Sequence, residues 1–125
     1  MKTIISTTEA PAAIGPYSQA VEAGSFIFIS GQLPIDPATG NMEAADTALQ
    51  TSAVIRNIEA ILKSRALSLD NVLKTTVFMT DLGEFQKMNE VYARFFTKNP
   101  PARATVEVKA LPKGALVEIE AVAVR

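Results

Sequence analysis

The 125-residue sequence predicts an α+β fold, a mixed β-sheet with two helices on one of its faces. Three observations carry this prediction. Short runs rich in β-branched and aromatic residues are separated by Gly and Pro clusters, as strands are. Two longer stretches repeat apolar residues at helical spacing. No linker, internal repeat or low-complexity run divides the chain, so residues 1–125 read as a single domain with one hydrophobic core.

Residues 2–6 can form an extra first strand, and residues 10–16 (APAAIGP) read as an ordered loop punctuated by Pro and Gly. Residues 18–22 and 26–30 (FIFIS) are strands joined by a turn at Ala23-Gly24. The second is apolar on both faces apart from Ser30, which predicts a central, buried strand. The PIDPATG stretch at 34–40 breaks the pattern. Thr47 with Gln50 then fits a capping box ahead of an apolar stripe formed by Val54, Ile55, Ile58, Ile61 and Leu62. Residues 73–80 (LKTTVFMT) read as a strand, and Asp81 with Glu84 as a second N-cap signal. Phe85, Met88, Tyr92 and Phe95 recur at helical spacing until Asn99-Pro100-Pro101 stops the helix. Strands at 103–108 and 116–124, on either side of Pro112-Lys113-Gly114, complete a β-β-α-β-α-β-β order. Two helices cover only one face of such a sheet. An apolar second face must be buried against other subunits, so the pattern predicts a homo-oligomer without giving its number.

Composition narrows the chemistry. Hydrophobic residues make up 48% and charged residues 20%, an ordinary globular balance. The absence of cysteine excludes disulfides, thiol nucleophiles and thiolate-bound metals. The absence of histidine removes the usual general base and metal ligand, and with them the Ser-His and Cys-His pairs. What is left is carboxylates, Arg, Lys, Tyr, hydroxyls, backbone groups and water. A net charge of −1 offers no concentrated basic face for nucleic acid. No apolar run approaches the ~20 residues that span a bilayer. Only Ile4-Ile5 follows Lys2 before polar residues resume, so a signal-peptide core is not expected and a cytoplasmic location is.

Several residues stand out against this background. Arg103 opens a strand directly after Pro100-Pro101-Ala102. Alternation places it with Thr105 and Glu107 on one face, where its planar fork suits a carboxylate. A surface Arg paired with a nearby Glu would look the same in sequence. Glu118 and Glu120 interrupt an apolar strand and share a face with Leu116, Val122 and Val124. They are either a solvated strip or a partly buried carboxylate at a subunit seam, able to hold a water for acid–base work without histidine. Asn89 falls on the apolar side of its helix, where its amide must find partners in a brace or in a ligand. Tyr17 follows Gly15-Pro16, and its phenol can close a pocket or simply pack. Ser30-Gly31 ends a strand at a point where backbone can approach a ligand closely.

Taken together, PARATVEVKAL and PKGALVEIEA, with APAAIGPYSQAV, SGQLP, KTTVFMTDL and FQKMNEVYARFF, resemble the signature of the RidA/YjgF reactive-intermediate deaminases over essentially the whole chain. The resemblance implies a chorismate-mutase-like (YjgF-like) subunit in a homotrimer, with sites in the clefts between subunits. It implies hydrolysis of short 2-imino acids, tautomers of enamines such as 2-aminoacrylate, to 2-keto acids and ammonia, without a metal or other cofactor. In that family the motif Arg pairs with the substrate carboxylate, which falls here on Arg103. The residue that orients or activates water falls on Glu118. Tyr17, Ser30, Gly31, Asn89 and Thr105 fall on the substrate pocket. Many relatives carry Cys where this chain has Thr105, a change that alters the shape of the pocket and removes any thiol-based regulation. Two other functions compete with the deaminase: a non-catalytic module binding a carboxylate metabolite in the same cleft, and an RNA-cleaving translation inhibitor. Absent histidine and an absent basic patch argue against the second.

Overall fold

The computed structural model describes residues 1–125 throughout. Six strands form one sheet: β1 (Thr3–Ile5), β2 (Ala20–Ala23), β3 (Phe26–Gln32), β4 (Val72–Met79), β5 (Ala102–Glu107) and β6 (Val117–Val124). Helix α1 (Thr47–Lys63) links β3 to β4, and α2 (Phe85–Phe95) links β4 to β5. Across the sheet the order is β1-β2-β3-β6-β4-β5. Every neighbouring pair is antiparallel except β4 with β5.

This order follows from the two helical crossovers. β3 and β4 both pair antiparallel with β6, so they run the same way with the last strand inserted between them. The β3-α1-β4 and β4-α2-β5 units therefore advance in one direction. Crossovers of one hand advancing in one direction lay both helices on the same face. Under them sits the core. Val54, Ile55, Ile58, Ile61 and Leu62 of α1 and Met88 of α2 are fully buried against Ile27, Val77, Val117 and Ile119.

Local signals differ from expectation in three places. Asp46, not Thr47, caps α1, its carboxylate accepting from the Leu49 N–H at 2.9 Å. Gln50 is instead buried, donating to the carbonyls of Glu43 and Ala44 and accepting from the Leu116 N–H at 2.8 Å. Its amide is used in tertiary bracing, so the capping box fails. Asp81 does cap, but it caps a short 3-10 turn (Leu82–Glu84) that leads into α2, and α2 closes at Phe95 rather than at Asn99. Strand β3 is central in the sheet yet not buried on both sides, because nothing in the chain covers Phe26 (45% exposed) and Phe28 (48%).

That uncovered face is continuous. Residues paired directly across strands share a face. Phe26 pairs with Val124, Phe28 with Val122, and Phe78 with both Val106 and Glu118. It is therefore largely apolar, the condition under which the sequence predicts association, and it also carries Lys74, Thr76, Glu118 and Glu120.

One ion cluster ties the chain's end to this frame. Glu22 on β2 is 8% exposed, and its carboxylate accepts from Arg125 and from Arg65, the latter at 2.7 Å. The Arg125 hydrogen bond holds the Glu22 carboxyl below its ordinary 4.5, against the opposing effect of burial and with further help from Arg65. A depressed pKa stabilises the fold above the unfolded value, and the effect disappears as pH falls through the folded one. Glu22→Gln should therefore lower Tm near neutral pH. Thermal melts of the two proteins should converge once the pH drops well below 4.5.

Candidate active site

The residues singled out in the sequence gather into two groups on opposite sides of the sheet. The first centres on Arg103. In register, Arg103 lies beside Thr75, and Thr105 beside Val77, on the face the helices cover. Residues of α2 hold the guanidinium from above. Its Cζ sits 4.7 Å from the ring centroid of Tyr92 and 5.5 Å from that of Phe85. Its Nη1 donates to Asn89 Oδ1 at 2.8 Å. Asn89 thus spends its amide oxygen on Arg103. Tyr92 is itself fixed, its hydroxyl 2.7 Å from Thr75 Oγ1, and burial raises its pKa above 10.0 despite Thr75 and Arg103.

The pairing of Arg103 with a neighbouring Glu does not occur: no carboxylate lies within ion-pair distance of it. Of the five N–H donors a guanidinium carries, one is used by the protein. The two aromatic faces and one amide fix its plane and leave the rest of the fork free for an anion. Two residues along, Thr105 Oγ1 is the one buried side-chain polar atom with no partner. An unmet group of that kind costs ~1–3 kcal/mol, so it is a candidate to bind something the chain does not itself supply.

The second group lines a cleft of about 580 Å³, a size suited to a metabolite. Tyr17, Ser30, Gly31 and Glu118 all line it, joined by Gln19, Lys113 and Glu120. Ser30 Oγ donates to the Ser18 carbonyl at 2.6 Å, which binds the end of β3 to the segment bearing Tyr17. Tyr17 is 52% exposed, and its hydroxyl accepts from the Ile14 N–H at 3.2 Å. Glu118 is half-buried while Glu120 is exposed, which separates two residues that sequence could not. Desolvation, and then the like charge of Glu120, raise the Glu118 carboxyl above 4.5.

Gly31 explains how Glu118 fits. A β-carbon at position 31 would stand 2.0 Å from Glu118 Oε2, so only a glycine leaves the carboxylate its place over the irregular end of β3. A second cleft, of about 500 Å³ beside the β3–α1 connection, is lined by Arg56 as its one cation among Glu9, Asp36 and Glu43. None of the singled-out residues reaches it. No group of three or more carboxylates converges to hold a metal ion.

Sequence reasoning missed the cradle of Phe85 and Tyr92 around Arg103, having read both as core stripe. It also missed Gln19 and Lys113. Nothing local flags the cradle, because it depends on the parallel register of β4 and β5. Within one chain the two groups do not meet: Thr75 to Phe78 carries Arg103's face on one side and Glu118's on the other.

Comparison with known proteins fits this architecture. Residues 7–125 match the family model described as endoribonuclease L-PSP, which is the YjgF/RidA family. The RutC family protein PH0854 of Pyrococcus horikoshii is 54% identical over 98% of each chain. The human 2-iminobutanoate/2-iminopropanoate deaminase is 45% identical over 100% of this chain and 91% of its own. Among solved structures, E. coli TdcF with bound serine superposes with a TM-score of 0.94 at 46% identity, covering 98% of both chains. The fold, an α+β layer of mixed sheet and two helices, is the one these proteins share. The chain belongs to the YjgF/RidA family.

The Gly31 geometry gives a direct test of the carboxylate's place. Gly31→Ala should leave the protein folded, since only side-chain atoms of Glu118, from Cγ outward, have to move. NMR titration of the Glu118 carboxyl should then show its pKa falling back toward 4.5 as it is pushed into water.

Proposed function

We propose that this chain is a 2-imino acid deaminase. It would hydrolyse short imines, tautomers of enamines such as 2-aminoacrylate, to 2-keto acids and ammonia. The observation that carries this reading is Arg103, a guanidinium held rigidly by Tyr92, Phe85 and Asn89 with no carboxylate of its own chain paired to it. It is a built receptor for a small carboxylate. Relatives named as 2-iminobutanoate/2-iminopropanoate deaminases, and serine bound to TdcF, support an amino-acid-like substrate.

Arg103 would take the substrate carboxylate in its fork. Glu118, across the cleft with Tyr17 and Ser30-Gly31, would orient a water toward the imine carbon and accept its proton. Glu118 would return that proton to the nitrogen, and the carbinolamine C–N bond then breaks as the keto C=O forms, releasing ammonia. Thr105 Oγ1 would hydrogen-bond within the pocket. Because Arg103 and Glu118 lie on opposite faces of one sheet, one site needs Arg103 from one subunit and Glu118 from another. A homotrimer packed through the apolar face around Phe26 and Phe28 meets that need. Imines already hydrolyse in water, so orientation together with one acid–base contact, the contact itself worth roughly 10²–10⁴-fold, suffices. Neither metal nor organic cofactor enters this scheme. The setting is the cytoplasm, where pyridoxal-phosphate dehydratases acting on serine or threonine release such imines.

In a coupled assay with a threonine or serine dehydratase, the wild-type protein should accelerate release of the 2-keto acid, and Arg103→Ala should abolish that acceleration. Glu118→Gln should lower kcat by roughly 10²–10⁴-fold. The wild-type rate should fall on the acid side with an apparent pKa above 4.5, since the base is lost as Glu118 takes up its proton. A folded wild-type oligomer that binds carboxylates without turnover would favour the binding-module reading.

A further inference from the structure

The segment from Thr7 to Tyr17 carries Ile14 and Tyr17 to the cleft, yet it belongs to no helix or strand. Its attachment is unusual. Every hydrogen bond it makes to the rest of the chain goes to one side chain, the carboxamide of Gln19. Gln19 Oε1 accepts from the Thr7 N–H at 2.7 Å. Gln19 Nε2 donates to the carbonyls of Thr7 at 3.0 Å, Ala10 at 3.2 Å and Pro11 at 2.8 Å. The remaining bonds of the segment are internal, such as Ile14 N–H to Tyr17 hydroxyl and Tyr17 N–H to Gly15 carbonyl.

The Gln19 side chain is suited to this task. The residue is 5% exposed and immediately precedes β2, and its own carbonyl accepts from the Ser30 N–H at 3.0 Å. One end of the tether is therefore anchored in the sheet beside Ser30-Gly31, while the other grips the backbone of the segment. Apart from Gln19, the segment is held mainly by Ala10, which is 2% exposed within the core. On its far side Tyr17 is followed by Ser18, whose carbonyl accepts from Ser30 Oγ, but from Pro11 to Gly15, at φ 121°, the path that leads into it has no other hold on the sheet.

We propose that Gln19 is a positioning residue for substrate capture, holding the Thr7–Tyr17 segment so that Tyr17 stands over the cleft that contains Glu118. Gln19 acts through Tyr17 and does not touch the reacting atoms. The inference rests on the deaminase reading for its kinetic consequence but not for its structural one.

The chain's two tyrosines, Tyr17 and Tyr92, make the test direct. Protein labelled with 3-fluorotyrosine gives one ¹⁹F line for each. In Gln19→Met, which keeps length but removes all four hydrogen bonds, the Tyr17 line should narrow and move toward that of free 3-fluorotyrosine. The Tyr92 line, held by Thr75, should stay. KM for the imino acid should rise roughly tenfold with kcat changed less than about twofold, the mark of lost binding rather than lost chemistry. Should Gln19→Met fail to fold, Gln19→Glu retains the Thr7 N–H bond, loses the three donated ones, and is read the same way. Two unmoved lines in a folded variant would overturn the proposal. So would a moved Tyr92 line, which marks general loss of packing, or a moved Tyr17 line with KM unchanged. The ¹⁹F spectra need no substrate, so a wild type without turnover would sink the deaminase reading and leave the tether standing.

Discussion

Successive side chains of a β-strand face opposite ways, and this alternation governs where chemistry can occur in the protein. On β4, Thr75 and Val77 look toward the helices and Thr76 and Phe78 look away. The register carries the same division outward to β5 on one side and β6 on the other. Arg103 takes the helix side and Glu118 the open side. No rotamer change can bring an anchor and a base together across a sheet. An active centre using both has to be assembled from two copies of the chain. The apolar stretch around Phe26 and Phe28, left bare by only two helices, is the surface on which such copies would meet.

The same frame lets the protein dispense with histidine. An isolated Arg near an edge strand would find a surface carboxylate, but Arg103 is stacked against Tyr92 and Phe85 and braced by Asn89, so its charge stays available. A carboxylate in open water would stay ionised and well solvated. Glu118 is half-buried beside Glu120, and desolvation, with that like charge, raises its pKa. Gly31 supplies the space that this placement needs. Each half is ordinary on its own, and the proposed deamination would depend on their being brought face to face.

Much of the fold was legible because it rests on period and punctuation. The stripe from Val54 to Leu62 and the β-branched run at 73–80 are local patterns that tertiary packing reinforces rather than opposes. What escaped was set by long-range contact. Gln50 reads in sequence as half of a capping box, but its amide oxygen accepts from the Leu116 N–H and Asp46 makes the cap. The insertion of the last strand between β3 and β4 leaves no mark in the sequence. At the site, Arg103 and the Glu118/Glu120 pair were visible as charges interrupting strands. The gathering of Tyr17, Ser30 and Gly31 with Glu118 was expected from family resemblance alone. The Gln19 tether was invisible, because a glutamine before a strand looks like any surface amide.

A site divided between subunits is tested most directly by complementation. Arg103→Ala and Glu118→Gln chains would be refolded separately and then together, and imine hydrolysis measured for each preparation. Each variant alone should be inactive. The mixture should recover activity at about one site in four, the fraction that random assembly around a symmetric ring gives an intact Arg103 facing an intact Glu118. A mixed oligomer as inactive as its parents would contradict the account, because it would mean that no site draws its anchor and its base from different chains.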